Sequence, residues 1–266
     1  MDRNYSFFYQ GESDRGVLLI HGLTGTPSEL RIVGKGLQKR GFTVYAPTLA
    51  GHGKTEEELL KTGRKDWYES VKEAFFQLKT KSKRIYAAGL SMGGILALKL
   101  AAHFPEIKAV GIFGITLKYD GWNIPRMRII TPFLPIFVRI PGLKNRSFSE
   151  THPFGIKNDR LRERIIGKLS HEQDGVLMQT PWKSLNELFR LNHSVKKQLS
   201  NVNCPAIILH AGEDDICSFK SNAVFLKDRL KGPCELHELK NSFHMVTIDS
   251  DRERLTELTA DFFLKY

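Results

Sequence analysis

A serine set between glycines is the residue in this chain best placed to do chemistry. It lies in Ala88-Gly89-Leu90-Ser91-Met92-Gly93-Gly94, a G-x-S-x-G pentapeptide. A serine hydroxyl is a weak nucleophile until a neighbouring imidazole takes its proton. The imidazole in turn needs a carboxylate to hold its tautomer and to stabilise the imidazolium. Downstream, the chain offers Asp215 and then His244, each shortly after an apolar stretch. Acyl transfer also needs hydrogen-bond donors aimed at the developing oxyanion. Two backbone amides could serve as those donors. One is that of Met92, at the start of the stretch after the serine, and the other is that of Leu23, within His21-Gly22-Leu23-Thr24-Gly25. A serine in a glycine-rich turn can also do no more than cap a helix, so the elements around it must decide.

Those elements follow from residue pattern. Arg84-Ile85-Tyr86-Ala87-Ala88 is short and apolar and reads as a buried strand, while Ile95 to Ala102 is rich in helix formers. Strand, tight turn and helix is the context that turns G-x-S-x-G into a nucleophile elbow. Gly16 to Ile20, Phe42 to Pro47, Ile107 to Gly114 and Pro205 to His210 are further buried strands, with Tyr5 to Tyr9 an edge strand and Cys234 to Leu239 the last one. Trp67, Val71, Phe75 and Leu78 recur at helical spacing, and helices are expected over Phe219 to Lys231 and Asp249 to Leu264. Strands alternating with helices predict a mostly parallel sheet covered on both faces. The rhythm stops near Ile115 and resumes after Lys197, which marks residues 115–197 as an inserted cap with no clear strand and with short helices near 159–169 and 182–191. The rest of 1–266 reads as one α/β domain. His21 and His52 read as residues that order their loops, and the other histidines outside the constellation have equally plain structural readings.

Bulk properties bound the function. Hydrophobic residues at 41% and charged ones at 26% are ordinary for a folded domain. No apolar run approaches the length of a membrane span. Cys204, Cys217 and Cys234 are an odd number with no C-x-x-C spacing, which argues against a disulfide framework or zinc site and for a reducing compartment. The first residues lack the pattern of a secretory signal, so the expected location is cytoplasmic. The net charge of +11 is concentrated in residues 118–197, where 15 Lys and Arg face 7 Asp and Glu. Prolines and large aliphatics accompany those charges, which suits a lid or an anionic membrane surface better than nucleic acid. No dinucleotide, phosphate-loop or H-E-x-x-H motif is present, so no cofactor is expected.

The H-G-L-T-G loop, the G-L-S-M-G elbow, the Gly212-Glu213-Asp214-Asp215-Ile216-Cys217 segment and Asn241-Ser242-Phe243-His244-Met245 together resemble the α/β-hydrolase family, in its bacterial carboxylesterase and monoacylglycerol lipase branch. The resemblance covers the whole chain. It implies an α/β-hydrolase fold and a serine hydrolase that cleaves short- to medium-chain carboxylic esters or monoacylglycerols through an acyl-enzyme on Ser91. It implies His244 as the base and, counting from Gly212, Asp215 as the acid, with Asp214 adjacent. It implies the amides of Leu23 and Met92 as the oxyanion hole, and a small-molecule acyl ester as the substrate. Thioester or amide hydrolysis on the same fold, and a binding protein that has lost the reaction, are the alternatives.

Overall fold

The layers are set by alternation along the strands. In Arg15–Ile20 (β2), Leu18 and Ile20 enter one buried cluster while Val17 and Leu19 enter another, because successive side chains of a strand leave on opposite faces. The computed structural model describes residues 4–124, 129–143, 145–171 and 175–266. Its main sheet has seven strands: Phe7–Tyr9 (β1), β2, Thr43–Ala46 (β3), Arg84–Leu90 (β4), Ile107–Phe113 (β5), Ala206–Ala211 (β8) and Cys234–Leu239 (β9). Their order is β1-β3-β2-β4-β5-β8-β9, and every pairing is parallel except that of β1 with β3. On one face lie the short Glu56–Leu60 (α2), Arg64–Lys79 (α3), Met92–His103 (α4) and Trp182–Lys196 (α7), which bury Leu59, Trp67, Phe75, Leu96, Leu185 and Leu188 together. On the other lie Arg31–Lys39 (α1) and the closing helix Arg252–Leu264 (α9), with Val33, Leu37, Phe262 and Phe263. The expected α/β-hydrolase architecture, a mostly parallel sheet sheathed on both faces, is the one observed.

Between β5 and β8 the chain leaves the sheet. This excursion carries Leu134–Phe137 (α5), Ser147–Ser149 (β6), Asp159–His171 (α6), Gln179–Pro181 (β7) and then α7. The helices expected near 159–169 and 182–191 are present. A small antiparallel ladder, β6 with β7, is present as well, where the sequence offered no clear strand. Three residues per strand are too few to show a period, so this ladder had no pattern to read. The expected helix over Phe219 to Lys231 is instead a π turn, Lys220–Val224, running into a short Phe225–Lys227 helix (α8). Asn222 sits in that turn. Its side-chain oxygen accepts the amides of Leu117 and Lys118, and its amide nitrogen donates to Asp120. Those long-range partners outweigh the local preference for a regular helix.

The sheet and α4 meet at a point that admits no side chain. A Cβ on Gly93 would lie 1.9 Å from the Ile20 carbonyl oxygen, and one on Gly89 would lie 2.3 Å from the Gly93 carbonyl carbon. Between them Ser91 has φ 54° and ψ −116°, a conformation that costs a non-glycine residue roughly 1–3 kcal/mol and persists only where packing dictates it. Gly93→Ala is therefore expected to lose at least ~3 kcal/mol of stability, at the upper end of what overpacking costs. Denaturant unfolding checks it, and a variant as stable as the parent would contradict the close approach.

Candidate active site

Four loops leave the sheet at the carboxyl ends of parallel strands and converge on one edge, the usual ligand position in an open α/β sheet. They follow β2 (His21 to Gly25), β4 (Ser91), β8 (Gly212 to Cys217) and β9 (Lys240 to His244). A cavity of about 170 Å³ opens between them and the inserted segment, lined by Leu23, Glu29, Ser91, Glu150, Asp215 and His244 among others.

The carboxylate facing His244 is that of Asp214. His244 Nδ1 donates to Asp214 Oδ2 at 2.9 Å, so in the neutral ring Nε2 is the acceptor. Asp214 Oδ1 accepts the amides of Ile216 (2.9 Å) and Cys217 (2.8 Å), a local turn that fixes the side chain and aims Oδ2 at the imidazole. His210 Nε2 lies 3.5 Å from the same oxygen. Asp215, the acid expected from the sequence, points to the other side of the turn. Its oxygens accept the amide of Gly155 at 3.1 Å and that of His244 at 3.2 Å. It fastens the inserted segment to the histidine loop and makes no contact with the ring nitrogens. The register is thus one residue earlier than counting from Gly212 implies. Adjacent residues in extended or turn backbone project oppositely, and only the fold decides which of two neighbouring aspartates faces the ring.

Electrostatics separate the two carboxylates. Burial alone would raise the Asp214 carboxyl, but the positive charge and hydrogen bond that His244 can offer bring it below its ordinary value. Asp215 is raised, by burial and then by the charge of Asp214. Burial pushes the His244 imidazole down, and the Asp214 charge more than reverses this, so it is held well above its ordinary value. Cys217 Sγ lies 3.4 Å from His244 Nδ1; burial and the Asp214 charge push its thiol up to about 12, so it stays protonated and neutral.

The Ser91 hydroxyl is buried with Thr116, whose Oγ1 lies 2.9 Å away. Thr116 donates to the Gly114 carbonyl at 3.2 Å, which makes Ser91 the donor in that pair. To engage His244 the hydroxyl must leave Thr116, a tightening that catalytic hydrogen bonds often await until substrate is bound. The amides of Leu23 and Met92 have no hydrogen-bond acceptor among the described residues, and that of Met92 opens α4, where the helix dipole favours negative charge. His21 orders its loop as expected: Nδ1 donates to the Gly22 carbonyl (2.8 Å) and Nε2 accepts the Leu49 amide (3.1 Å). His52 does likewise, donating to Ala50, with burial lowering its pKa to about 4.

Thr116, Glu29, Glu150 and His210 also stand at the site, and none of them carries a sequence motif. Thr116 and Glu150 are brought there from parts of the chain distant from their partners. Glu29 and His210 lie close to the loops they serve but only folding turns them inward, so residue type alone held no signal.

The chain has relatives that share this geometry's fold. The family described as serine aminopeptidase, S33 (Hydrolase_4) matches residues 11–251. The chain belongs to that family of α/β-hydrolases. It is 32% identical over 259 residues to a thermostable monoacylglycerol lipase of Bacillus sp. (strain H-257), covering 97% of this chain and 94% of the relative. It is 25% identical over 263 residues to a carboxylesterase of Bacillus subtilis (strain 168), covering 97% and 96%. Among solved structures, one from work on LipS and LipT, two metagenome-derived lipolytic enzymes, superposes with a TM-score of 0.83 at 26% identity, covering 98% of this chain and 97% of that one. The resemblance to the carboxylesterase and monoacylglycerol lipase branch is borne out.

Hydrolysis that uses His244 as base requires the neutral imidazole, so kcat/KM should rise with pH through a midpoint above the ordinary 6.5. Asp214→Asn removes the charge that holds this pKa up. The midpoint should fall, and kcat should drop by about 10⁴, the loss typical when a triad carboxylate becomes an amide. Asp215→Asn should instead cost ~1–3 kcal/mol of stability through its two amide contacts. Parallel pH–rate profiles and melts of the two variants check this; a larger kcat loss for Asp215→Asn would reverse the assignment.

Proposed function

We propose that the protein hydrolyses carboxylic esters of short- to medium-chain acyl groups, monoacylglycerols among them, through an acyl-enzyme on Ser91. The observation that carries this reading is Ser91, held in a strained elbow that lines the same cavity as His244, whose Nδ1 is already engaged by Asp214. In the first step Ser91 Oγ attacks the ester carbonyl while His244 Nε2 takes its proton. The oxyanion meets the amides of Leu23 and Met92. Collapse of the tetrahedral adduct breaks the bond to the alkoxide, which leaves with the proton from His244. Water, deprotonated by the same nitrogen, then releases the acid and restores Ser91. The names of the two Bacillus relatives, a monoacylglycerol lipase and a carboxylesterase, support ester over amide as the substrate. The family description, serine aminopeptidase, keeps an amide substrate in the test.

The test is a fluorophosphonate label and a p-nitrophenyl ester series of rising acyl length, run beside an amino-acid p-nitroanilide. Wild-type protein should take the label and turn over esters faster than the anilide. Ser91→Ala should lose the label and about six orders of magnitude in kcat. Near-normal ester turnover by folded Ser91→Ala would sink the reading, and a preference for the anilide would move it to amides.

The inserted segment, residues 115–197, is the proposed lid and acyl pocket, and it is the part we propose meets an anionic membrane surface. Ile129 is 72% exposed, Ile136 59% and Phe133 52%, along one short stretch. Arg139 and Arg146, which follow it in the chain, are exposed. Arg126, Arg128 and Lys144, which the sequence groups with them, lie outside the described residues. Apolar groups flanked by cations suit a segment that rests at the headgroup boundary. Binding to anionic vesicles should exceed binding to neutral ones at low salt and weaken as salt rises, since screening acts over about 8 Å at physiological ionic strength. Equal sedimentation with both lipids would remove the membrane from the proposal.

A further inference from the structure

A carboxylate grips the loop that carries one of the two proposed oxyanion donors. Glu29 belongs to the 3₁₀ turn Pro27–Leu30 that follows the glycine loop, and its side chain folds back into that loop. Oε1 accepts the Gly22 amide at 2.6 Å. Oε2 occupies the space beside Gly25, where a Cβ would lie 2.1 Å from it. A Cβ on Gly22 would be 3.4 Å from Glu29 Oε1 and 3.8 Å from Ser91 Cβ, so carboxylate, loop and serine are in one contact group. The side chain also lines the cavity. The residue after Gly22 is Leu23, whose amide is the second proposed oxyanion donor.

The geometry points to Glu29 as a positioning residue: by gripping the Gly22 amide it fixes the backbone of the loop and so aims the Leu23 amide at the carbonyl above Ser91. This rests on the reading of Ser91 as the nucleophile. The loop has two glycines in five residues, Gly22 and Gly25, and such backbone loses more freedom on ordering than any other. A donor contributes fully to transition-state stabilisation only when held in place before the charge develops. Glu29 supplies that hold one residue away from the donor, and Gly25 leaves room for its second oxygen.

The same carboxylate adds a charge that a merely structural brace would lack. Two charged groups face it: His244 from the loop after β9, and Glu150 from the inserted segment, itself held by the Thr24 hydroxyl at 3.2 Å. Burial raises Glu29 to about 7; the Gly22 hydrogen bond and His244 work against this and Glu150 with it. Above that pH the carboxylate favours the imidazolium of His244. Removing the charge must therefore let His244 lose its proton at lower pH.

The experiment compares Glu29→Ala and Glu29→Gln with the wild-type protein, each checked for an intact melt, on one p-nitrophenyl ester across pH. Glu29→Ala should lower kcat about tenfold with KM little changed, a fraction of the 10²–10³ lost when an oxyanion donor is deleted outright. Glu29→Gln keeps an oxygen for the Gly22 amide, so it should recover most of that loss and shift the acid limb of kcat/KM to lower pH. A folded Glu29→Ala with wild-type kcat, or a loss confined to KM, overturns the assignment. So does a Glu29→Gln that neither recovers kcat nor moves the limb. Wild-type protein that cleaves no ester would instead overturn the hydrolase reading on which this rests.

Discussion

The contact between the Gly93 position of α4 and the Ile20 carbonyl of β2 is the constraint on which the site depends. It fixes how closely the helix approaches the sheet, and that distance forces the chain between β4 and α4 through a positive-φ corner at Ser91. The same carbonyl precedes His21, so the elbow and the Gly22–Gly25 loop are registered to one another through a single strand end. Strain at one residue is held by a large core: β2, β4, β5 and β8 are buried on both faces, and large apolar clusters lie above and below them. A few kcal/mol of local strain is small against that burial, so the packing keeps the serine in a geometry it would not choose alone.

Once the strand ends are aligned, charge is sorted by direction. Two consecutive aspartates leave β8, and the turn sends one toward the imidazole and the other toward two backbone amides. Had both faced His244, their mutual repulsion would have pushed one of them neutral. Instead Asp214 is lowered and Asp215 raised, each by surroundings that differ across a single peptide unit. Asp215 thereby becomes a clasp between the inserted segment and the histidine loop. The position of that segment over the cavity and the orientation of the histidine backbone are consequently coupled through one side chain.

Membership of the S33-type hydrolase family and the likeness to lipolytic enzymes agree with this architecture. Around the serine, the chain adds polar groups of its own. Thr116 holds the hydroxyl at rest, Cys217 packs as a neutral thiol against the imidazole, and Glu29 and Glu150 both face the cavity. Thr116, Glu29 and Glu150 lie outside the four motifs that carry the family resemblance, so their arrival at the site is a product of folding rather than of any local signature.

The sequence by itself determined the sheet, its coverings and where along the chain the loops holding Ser91 and His244 fall. Those features rest on local signals: apolar runs for buried parallel strands, glycines where backbone must approach backbone, and a helix pattern after the elbow. The parallel order then follows from strands alternating with helices, so the strand ends had to share an edge. Tertiary structure alone decided which aspartate meets His244, because neighbouring residues in a turn differ only in direction, and direction is set by the amides of Ile216, Cys217 and Gly155. It alone decided that a π turn around Asn222 would replace a regular helix, through partners about a hundred residues away in the chain. And it alone brought Glu29 back onto Gly22, since a glutamate in the first turn of a helix reads locally as favourable charge near a helix start, and only the folded loop turns it toward the serine.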